Sequence, residues 1–349
     1  MTGPAAAAAM TELRRIVLAR RPQGAPTAGD FRLETAPLPE PADGEALVRT
    51  VWLSLDPYMR GRMSDAASYA QPVPLGGPIE GEAVGEVLAS RDPALRPGDM
   101  VRGRGGWQSH FCRPAAELSK IPAGFPASTA LGVLGMPGLT AHAGLEVVGK
   151  PQPGETLVVG SASGPVGSLT GQLAKRMGCH VVGVAGGPGK CAWVTGELGF
   201  DACLDRHAAD LAGRLAAACP KGVDIYVELT GGAVLDAVLP LLNLHARIPV
   251  IGTIARYNAA APPEGPDRLP MLMRLALTRR LLIQGLLVPD WEHLRPGFVA
   301  KVGAWLREGA IRYREDVTEG LENAPAAFIG MLEGRNFGKQ LVRVGPDAA

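Results

Sequence analysis

The chain has no hydrophobic run approaching the ~18 residues that a membrane-spanning helix needs, although apolar residues make up 46% of its 349 positions. It also has no excess of either charge: 35 Lys and Arg stand against 34 Asp and Glu, a formal net charge of +1. With no basic run either, neither nucleic acid nor an anionic membrane surface is an expected partner. Cysteine is scarce. The five present (Cys112, Cys179, Cys191, Cys203 and Cys219) are odd in number and at least twelve positions apart. That argues against a disulfide framework and for a reduced, cytoplasmic setting. No two cysteines have C-x-x-C spacing, and the six histidines (His110, His142, His180, His207, His245, His293) are scattered. Structural zinc takes four ligands and catalytic zinc about three. Neither set can be assembled from these spacings, so each histidine reads as a surface or packing residue and no metal is expected.

The opening MTGPAAAAAMTELRR lacks the basic segment and the apolar core of a signal peptide. It reads as a disordered leader over residues 1–12, with Met10 as the working start. The remaining length suggests two domains. The first third is rich in proline and glycine, with β-type runs such as EALVRTVWLSL and GEAVGEVLA between the turn signals PEPADGE and LRPGD. From residue 155 the texture changes to short apolar runs alternating with helical patterns: TLVVG, HVVGVA, ACLD, VDIYVEL, ARIPVIG and LLIQGLLV. Six such runs predict an α/β, doubly wound parallel sheet. A proline-rich loop, AAAPPEGPDRLP, follows the fifth run, and the tail FGKQLVRV is again strand-like and is expected to return to the first domain.

The stretch ETLVVGSASGPVGSLTGQLAKRMG, residues 155–178, reads as strand, glycine turn and helix. Gly164 allows the backbone close to a pyrophosphate, and Gly167 lets the helix pack tightly on the sheet. Pro165 suits the first helical position, where its missing N–H is not needed. Free N–H groups and the helix dipole favour an anion there. Val166, Leu169, Leu173 and Met177 line one helical face, and Gly178 supplies the stop. Glycine spacing alone is a weak signal in a chain with 46 glycines; the preceding strand, the following helix and the five further strands give it weight. An NAD site carries an acid about 20 residues beyond the glycines. Here the second strand ends VGVAGGPGK, without one. Gly186 leaves room for an additional phosphate and Lys190 offers a cation. Lys190 alone reads equally well as a solvated lysine at a helix start, but the missing acid points the same way, to NADP(H).

Five stretches together carry a family resemblance: LSLDPYMRGRM (53–63), GMPGLTAHAGL (135–145), SASGPVG (161–167), LLNLHARIPVIGTIARYN (241–258) and LENAPAAFIGMLEGRNFGK (321–339). In that order they resemble the zinc-independent medium-chain dehydrogenases/reductases, in the group of leukotriene B4 12-hydroxydehydrogenase/prostaglandin reductases and 2-alkenal reductases. The resemblance implies a GroES-like β-rich catalytic domain (13–133 and 312–349) around a Rossmann NADP-binding domain (134–311), with the active site between them and dimerisation through the Rossmann domains. It implies NADPH-dependent reduction of the carbon–carbon double bond of α,β-unsaturated aldehydes and ketones. Position by position, Ser161, Ala162, Ser163, Gly164, Pro165, Val166 and Gly167 would hold the pyrophosphate, and Gly186 with Lys190 the adenosine 2′-phosphate. Tyr58, Met136 and Thr140 would lie near nicotinamide and substrate. Ile251, Thr253, the backbone of Leu286, Leu287 and Val288, and Asn336 would follow the cofactor. Tyr257 matches the family's active-site tyrosine.

Two positions depart from the family. Arg206 stands where tyrosine is common, and a guanidinium there would be a stronger phosphate partner. Leu229 stands where asparagine is common and removes one side-chain hydrogen bond. The segment LLVPDW is also less aromatic than usual. The stretch GGPIEGEAVG lacks the histidine of zinc-dependent relatives, and GPVGSLTGQ is not a nucleophile elbow. Asp56, before Pro57, reads as a turn residue. The expected chemistry is hydride delivery to the β-carbon, with Tyr257 donating to the carbonyl oxygen as charge develops and Tyr58 orienting the carbonyl. Three rival readings are a quinone reductase, an allylic alcohol dehydrogenase, and a non-catalytic NADPH-binding structural or regulatory protein.

Overall fold

The computed structural model describes residues 12–261 and 267–346. Most of the expected leader and the middle of the proline-rich loop lie outside the described residues. The six apolar runs form six parallel strands: β1 (Thr156–Val159), β2 (His180–Ala185), β3 (Ala202–Asp205), β4 (Val223–Val227), β5 (Leu242–Val250) and β6 (Leu282–Gly285). Their order across the sheet is β3-β2-β1-β4-β5-β6. The order reverses between β1 and β4, and such a switch point opens a crevice beyond the strand ends. Side chains alternate across the pleat. Leu157, Val159, Ile225 and Val227 enter one core with Leu169 and Leu173 of the helix Pro165–Arg176. Val158, Val182, Val184 and Tyr226 enter a second core on the opposite face. Burial on both faces explains why the inner strands Thr156–Val159, His180–Ala185 and Val223–Val227 are mostly apolar rather than alternating.

A seven-stranded sheet gathers both ends of the chain. Its order is Glu315–Glu319, Lys339–Arg343, Glu45–Ser54, Ala83–Ser90, Met100–Gly103 and Ser119–Lys120, and His110–Pro114 also pairs with Glu45–Ser54. The strand-like tail is thus a central strand, parallel to 315–319 and antiparallel to 45–54. A hairpin, Glu12–Leu18 with Phe31–Pro37, lies beside it. Trp107 anchors this region, stacked on Phe31 at 5.7 Å and edge-on to Phe328 at 5.4 Å between ring centres. Aromatic pairs of this kind add about 0.5–1.5 kcal/mol beyond area burial.

Among the described residues no helix is long and apolar enough to cross a membrane. No group of three or more His, Cys, Asp or Glu side chains is placed there to hold a metal ion. All five cysteines are free.

Candidate active site

The helix Pro165–Arg176 starts where the sequence pattern places it. Gly164 is its extended N-cap, Pro165 its first residue, and Gly178 closes it with φ +83°. The turn before it is tight: a Cβ at position 167 would sit 2.4 Å from the Ser161 carbonyl oxygen. No side chain larger than hydrogen fits there without moving the backbone. Ser161 itself adopts φ +49°, a left-handed conformation that is uncommon outside glycine. The first-turn N–H groups therefore face the crevice at the end of β1, suited to an anion.

That crevice continues into a cleft of about 650 Å³. From one side come Ser161, Gly164, Pro165, Val166 and Gly167; from the helix Met136–Ala143 come Met136 and Thr140; from beyond β5 come Ile251 and Tyr257; and from beyond β6 come Leu286, Leu287 and Val288. Tyr58, at the start of the short helix Tyr58–Arg62, closes the other side. Thirteen of the sequence-derived positions thus share one cavity. Ala162 and Ser163, within the turn, are buried, and the Ala162 amide donates to the Val184 carbonyl at 3.0 Å. Leu229 lines the cleft with an apolar side chain. The Thr140 hydroxyl donates to the Met136 carbonyl at 2.8 Å.

Both phenols stay protonated at neutral pH. Burial raises the Tyr58 hydroxyl far above the usual phenol range, helped by the negative charges of Asp56, Glu82 and Glu80. Burial also raises Tyr257, against a hydrogen bond from the Thr253 backbone. A phenol that keeps its proton is a hydrogen-bond donor, which is what an oxygen gaining negative charge requires.

Gly186, Lys190 and Arg206 form a second cluster, outside the cleft. Lys190 Nζ donates to the Gly334 carbonyl at 2.6 Å and Arg206 Nη2 to the Glu333 carbonyl at 3.4 Å. A Cβ at Gly186 would lie 3.2 Å from Arg206 Nε. Asp205, at the end of β3, ties the turns together by accepting from the Gly187 and His207 amides at 2.9 and 3.1 Å; the Gly187 amide foremost holds its carboxyl below the usual range. Burial and then the neighbouring Arg206 charge lower the Lys190 pKa. The two cations repel each other; their hydrogen bonds go to backbone oxygens and an imidazole, with the Asp316 carboxylate acting on Lys190 from nearby. Such a pair is matched by a dianion placed between them. Asn336, on the same returning segment, donates to the Gly338 carbonyl at 2.8 Å. Thr253 is the N-cap of the 3-10 turn Ile254–Arg256.

The sequence reading missed several cleft residues. Tyr69 lines the outer cleft with the Arg62 guanidinium 5.4 Å from its ring centre. Glu82, Arg104, Arg113 and Glu292 also line it; burial raises the Glu82 carboxyl. Glu82 and Arg104 lie beside glycines, but no spacing around any of the four marks a charged side chain as facing the cleft. Asp56 is more than a turn residue. It is buried, accepts from the Ser54 hydroxyl, and pairs with buried Lys339 of the tail strand at 2.6 Å. Lys339 also donates to the Leu55 carbonyl at 2.8 Å.

Residues 14–121 match the family described as the N-terminal domain of oxidoreductase, and residues 165–301 that described as zinc-binding dehydrogenase. The chain is 53% identical to the NADPH-dependent curcumin reductase of Escherichia coli over 96% of its length and 97% of that protein. It is 40% identical to the NADP(+)-dependent 2-alkenal reductase of Nicotiana tabacum, over 95% and 97% of the two chains. Among solved structures, CurA from Vibrio vulnificus in complex with NADPH matches with a TM-score of 0.92 and 50% identity, covering 95% of this chain and 99% of that one.

Proposed function

As the chain belongs to the zinc-independent medium-chain dehydrogenases/reductases, in the group of prostaglandin and 2-alkenal reductases, we propose that it reduces the carbon–carbon double bond of α,β-unsaturated aldehydes and ketones with NADPH. The observation that carries this reading is the junction, in one cleft, of a glycine phosphate turn with a half-buried, protonated Tyr257. The residues fit the cofactor. The turn at 161–167 is too close-packed for a Cβ at Gly167 and presents helix amides to a pyrophosphate. Lys190 and Arg206 flank the space left by Gly186, where the 2′-phosphate of NADPH belongs. We assign residues 13–133 with 312–349 to the catalytic unit and 134–311 to the nucleotide-binding unit.

When bound, NADPH supplies a hydride to the β-carbon of the enone. The chain's task is then to hold the carbonyl and stabilise the charge that moves to its oxygen. Tyr257 donates its O–H there, an interaction stronger in the transition state than in the substrate and therefore catalytic. Tyr58, kept protonated by burial, orients the same carbonyl. Met136, Ile251, Leu229 and Leu287 exclude water beside them. Solvent returns the proton to the α-carbon.

NADPH oxidation with trans-2-nonenal, with a 1,4-quinone and with no acceptor tests the reading. Turnover with the enal, and a saturated aldehyde by mass spectrometry, is expected. Turnover with the quinone alone would reassign the protein as a quinone reductase, and nucleotide binding without turnover would leave a structural role.

The physiological assembly is proposed to be a cytoplasmic homodimer. β6 pairs with β5 on one side only, and Leu282 and Ile283 on it are exposed. The neighbouring helix Leu269–Arg279 buries none of its residues, with Met273 57% and Leu277 79% exposed. An unpaired edge beside an apolar face suits a second copy of itself. Light scattering should give twice the chain mass, falling to one chain in Leu277→Glu.

A further inference from the structure

Glu228, immediately after β4, is 3% exposed and takes no part in the chemistry above. Its Oε1 accepts from the Thr230 and Gly231 amides at 2.6 and 2.7 Å. These bonds close the turn from within. Gly231 and Gly232 both have positive φ, +70° and +58°, so two consecutive residues have little preference of their own. The carbonyls of the same turn carry the next one. Glu228 O accepts from Ile251 and Gly252 at 3.0 and 3.1 Å, Leu229 O from Ile254 at 3.3 Å, and Thr230 O from Ala255 at 3.0 Å. Tyr257 is hung from that second turn, its amide donating to the Ile254 carbonyl at 3.2 Å. Its hydroxyl lies 3.2 Å from where a Cβ of Gly252 would be.

We propose that Glu228 is the positioning residue of Tyr257: its carboxylate fixes the turn at 229–231, whose carbonyls set the turn at 251–257 and with it the place from which the phenol donates. The effect on turnover rests on the reading of Tyr257 as the donor to the carbonyl oxygen; the structural link does not. Unlike a residue that merely stabilises the fold, Glu228 should act on one turn and through one side chain.

The test uses the full-length protein and two substitutions close to isosteric. Glu228→Gln keeps one neutral acceptor for the two amides, and Glu228→Met keeps none. Amide hydrogen exchange followed by mass spectrometry should show the peptide spanning 250–257 exchanging about tenfold faster in Glu228→Gln and faster still in Glu228→Met. Exchange in Ala83–Ser90 should be unchanged. Enone reduction by Glu228→Gln should lose about tenfold in kcat, with the dissociation constant for NADPH within about twofold. In a Tyr257→Phe background the same substitution should cost less than about twofold further, because the group it positions is gone. Unchanged exchange at 250–257, or an equal kcat loss in both backgrounds, would overturn the proposal. If Glu228→Met does not fold, the Glu228→Gln measurements decide alone. A wild-type protein that reduces no enone would sink the functional reading, while the exchange data would still decide whether Glu228 holds the turn.

Discussion

The phosphate turn draws Ser161, Gly164, Pro165, Val166 and Gly167 from seven consecutive residues. The rest of the cleft lining draws Tyr58, Glu82, Arg104, Tyr257 and Glu292 from five separate segments. The first region works by backbone: left-handed Ser161, a glycine with no room for a Cβ, and a proline that starts the helix. The second works by side chains whose positions depend on distant partners, such as Asp56 on Lys339. A backbone device is written in adjacent residues and tolerates change around it. A side-chain wall has its geometry spread along the chain, where single distant substitutions can undo it.

The sharpest way to break the comparison is to remove a distant partner. Lys339→Met leaves the Asp56 carboxylate buried without its cation. Losing one member of a buried pair costs about 3–5 kcal/mol, and urea denaturation should show a loss of that size. A change under 1 kcal/mol would mean that the wall stands without its tail anchor.

Next in size is Tyr257→Phe, which removes one donor and keeps the ring. We expect a fall in kcat of up to about 100-fold on enals, with NADPH affinity nearly unchanged. Wild-type kcat would pass the role to Tyr58.

The phosphate end should respond in the opposite way, through cofactor affinity. One charge-assisted contact is worth about 1.5–3 kcal/mol, roughly ten- to a hundredfold. Lys190→Ala should raise the KM for NADPH accordingly and scarcely touch that for NADH. Equal effects on both would make Lys190 a support of the fold. The preference should also narrow at alkaline pH. Burial and Arg206 lower the Lys190 pKa, so the charge that binds phosphate is present below that value and lost above it, sooner than for an ordinary lysine.

The smallest expected effect is none. With no cluster of metal-ligating side chains among the described residues, a chelator should leave turnover unchanged; loss of activity restored by zinc would contradict the ligand set.

The same contrast explains what the sequence discloses. The inner strands of the parallel sheet were legible because each is a short apolar run buried between turn signals, and the exposed edge strand Leu282–Gly285 because its run is apolar all the same. The helix start at Pro165 and its stop at Gly178 were legible because each rests on a local backbone requirement. Lys190 could be singled out by a missing acid nearby, whereas its backbone partner Gly334 lies 144 positions away. Asp56 reads as a turn residue because Pro57 follows it, and nothing local announces a partner 283 positions on. Glu228 went unremarked for a related reason. Its importance lies in the amides and carbonyls it organises, and backbone groups look the same in every sequence.

The central place of Lys339–Arg343 also has a consequence in time. The strand fills the gap between Glu315–Glu319 and Glu45–Ser54, and its first residue secures Asp56. On a ribosome adding about 5–20 residues per second, the 283 positions from Asp56 to Lys339 take roughly 15–60 s to synthesise. Through that interval the early strands wait with an open edge while the whole parallel sheet emerges and can fold. A chain stalled short of its tail therefore presents a finished nucleotide fold beside an unfinished wall, and an exposed strand edge for chaperones to cover.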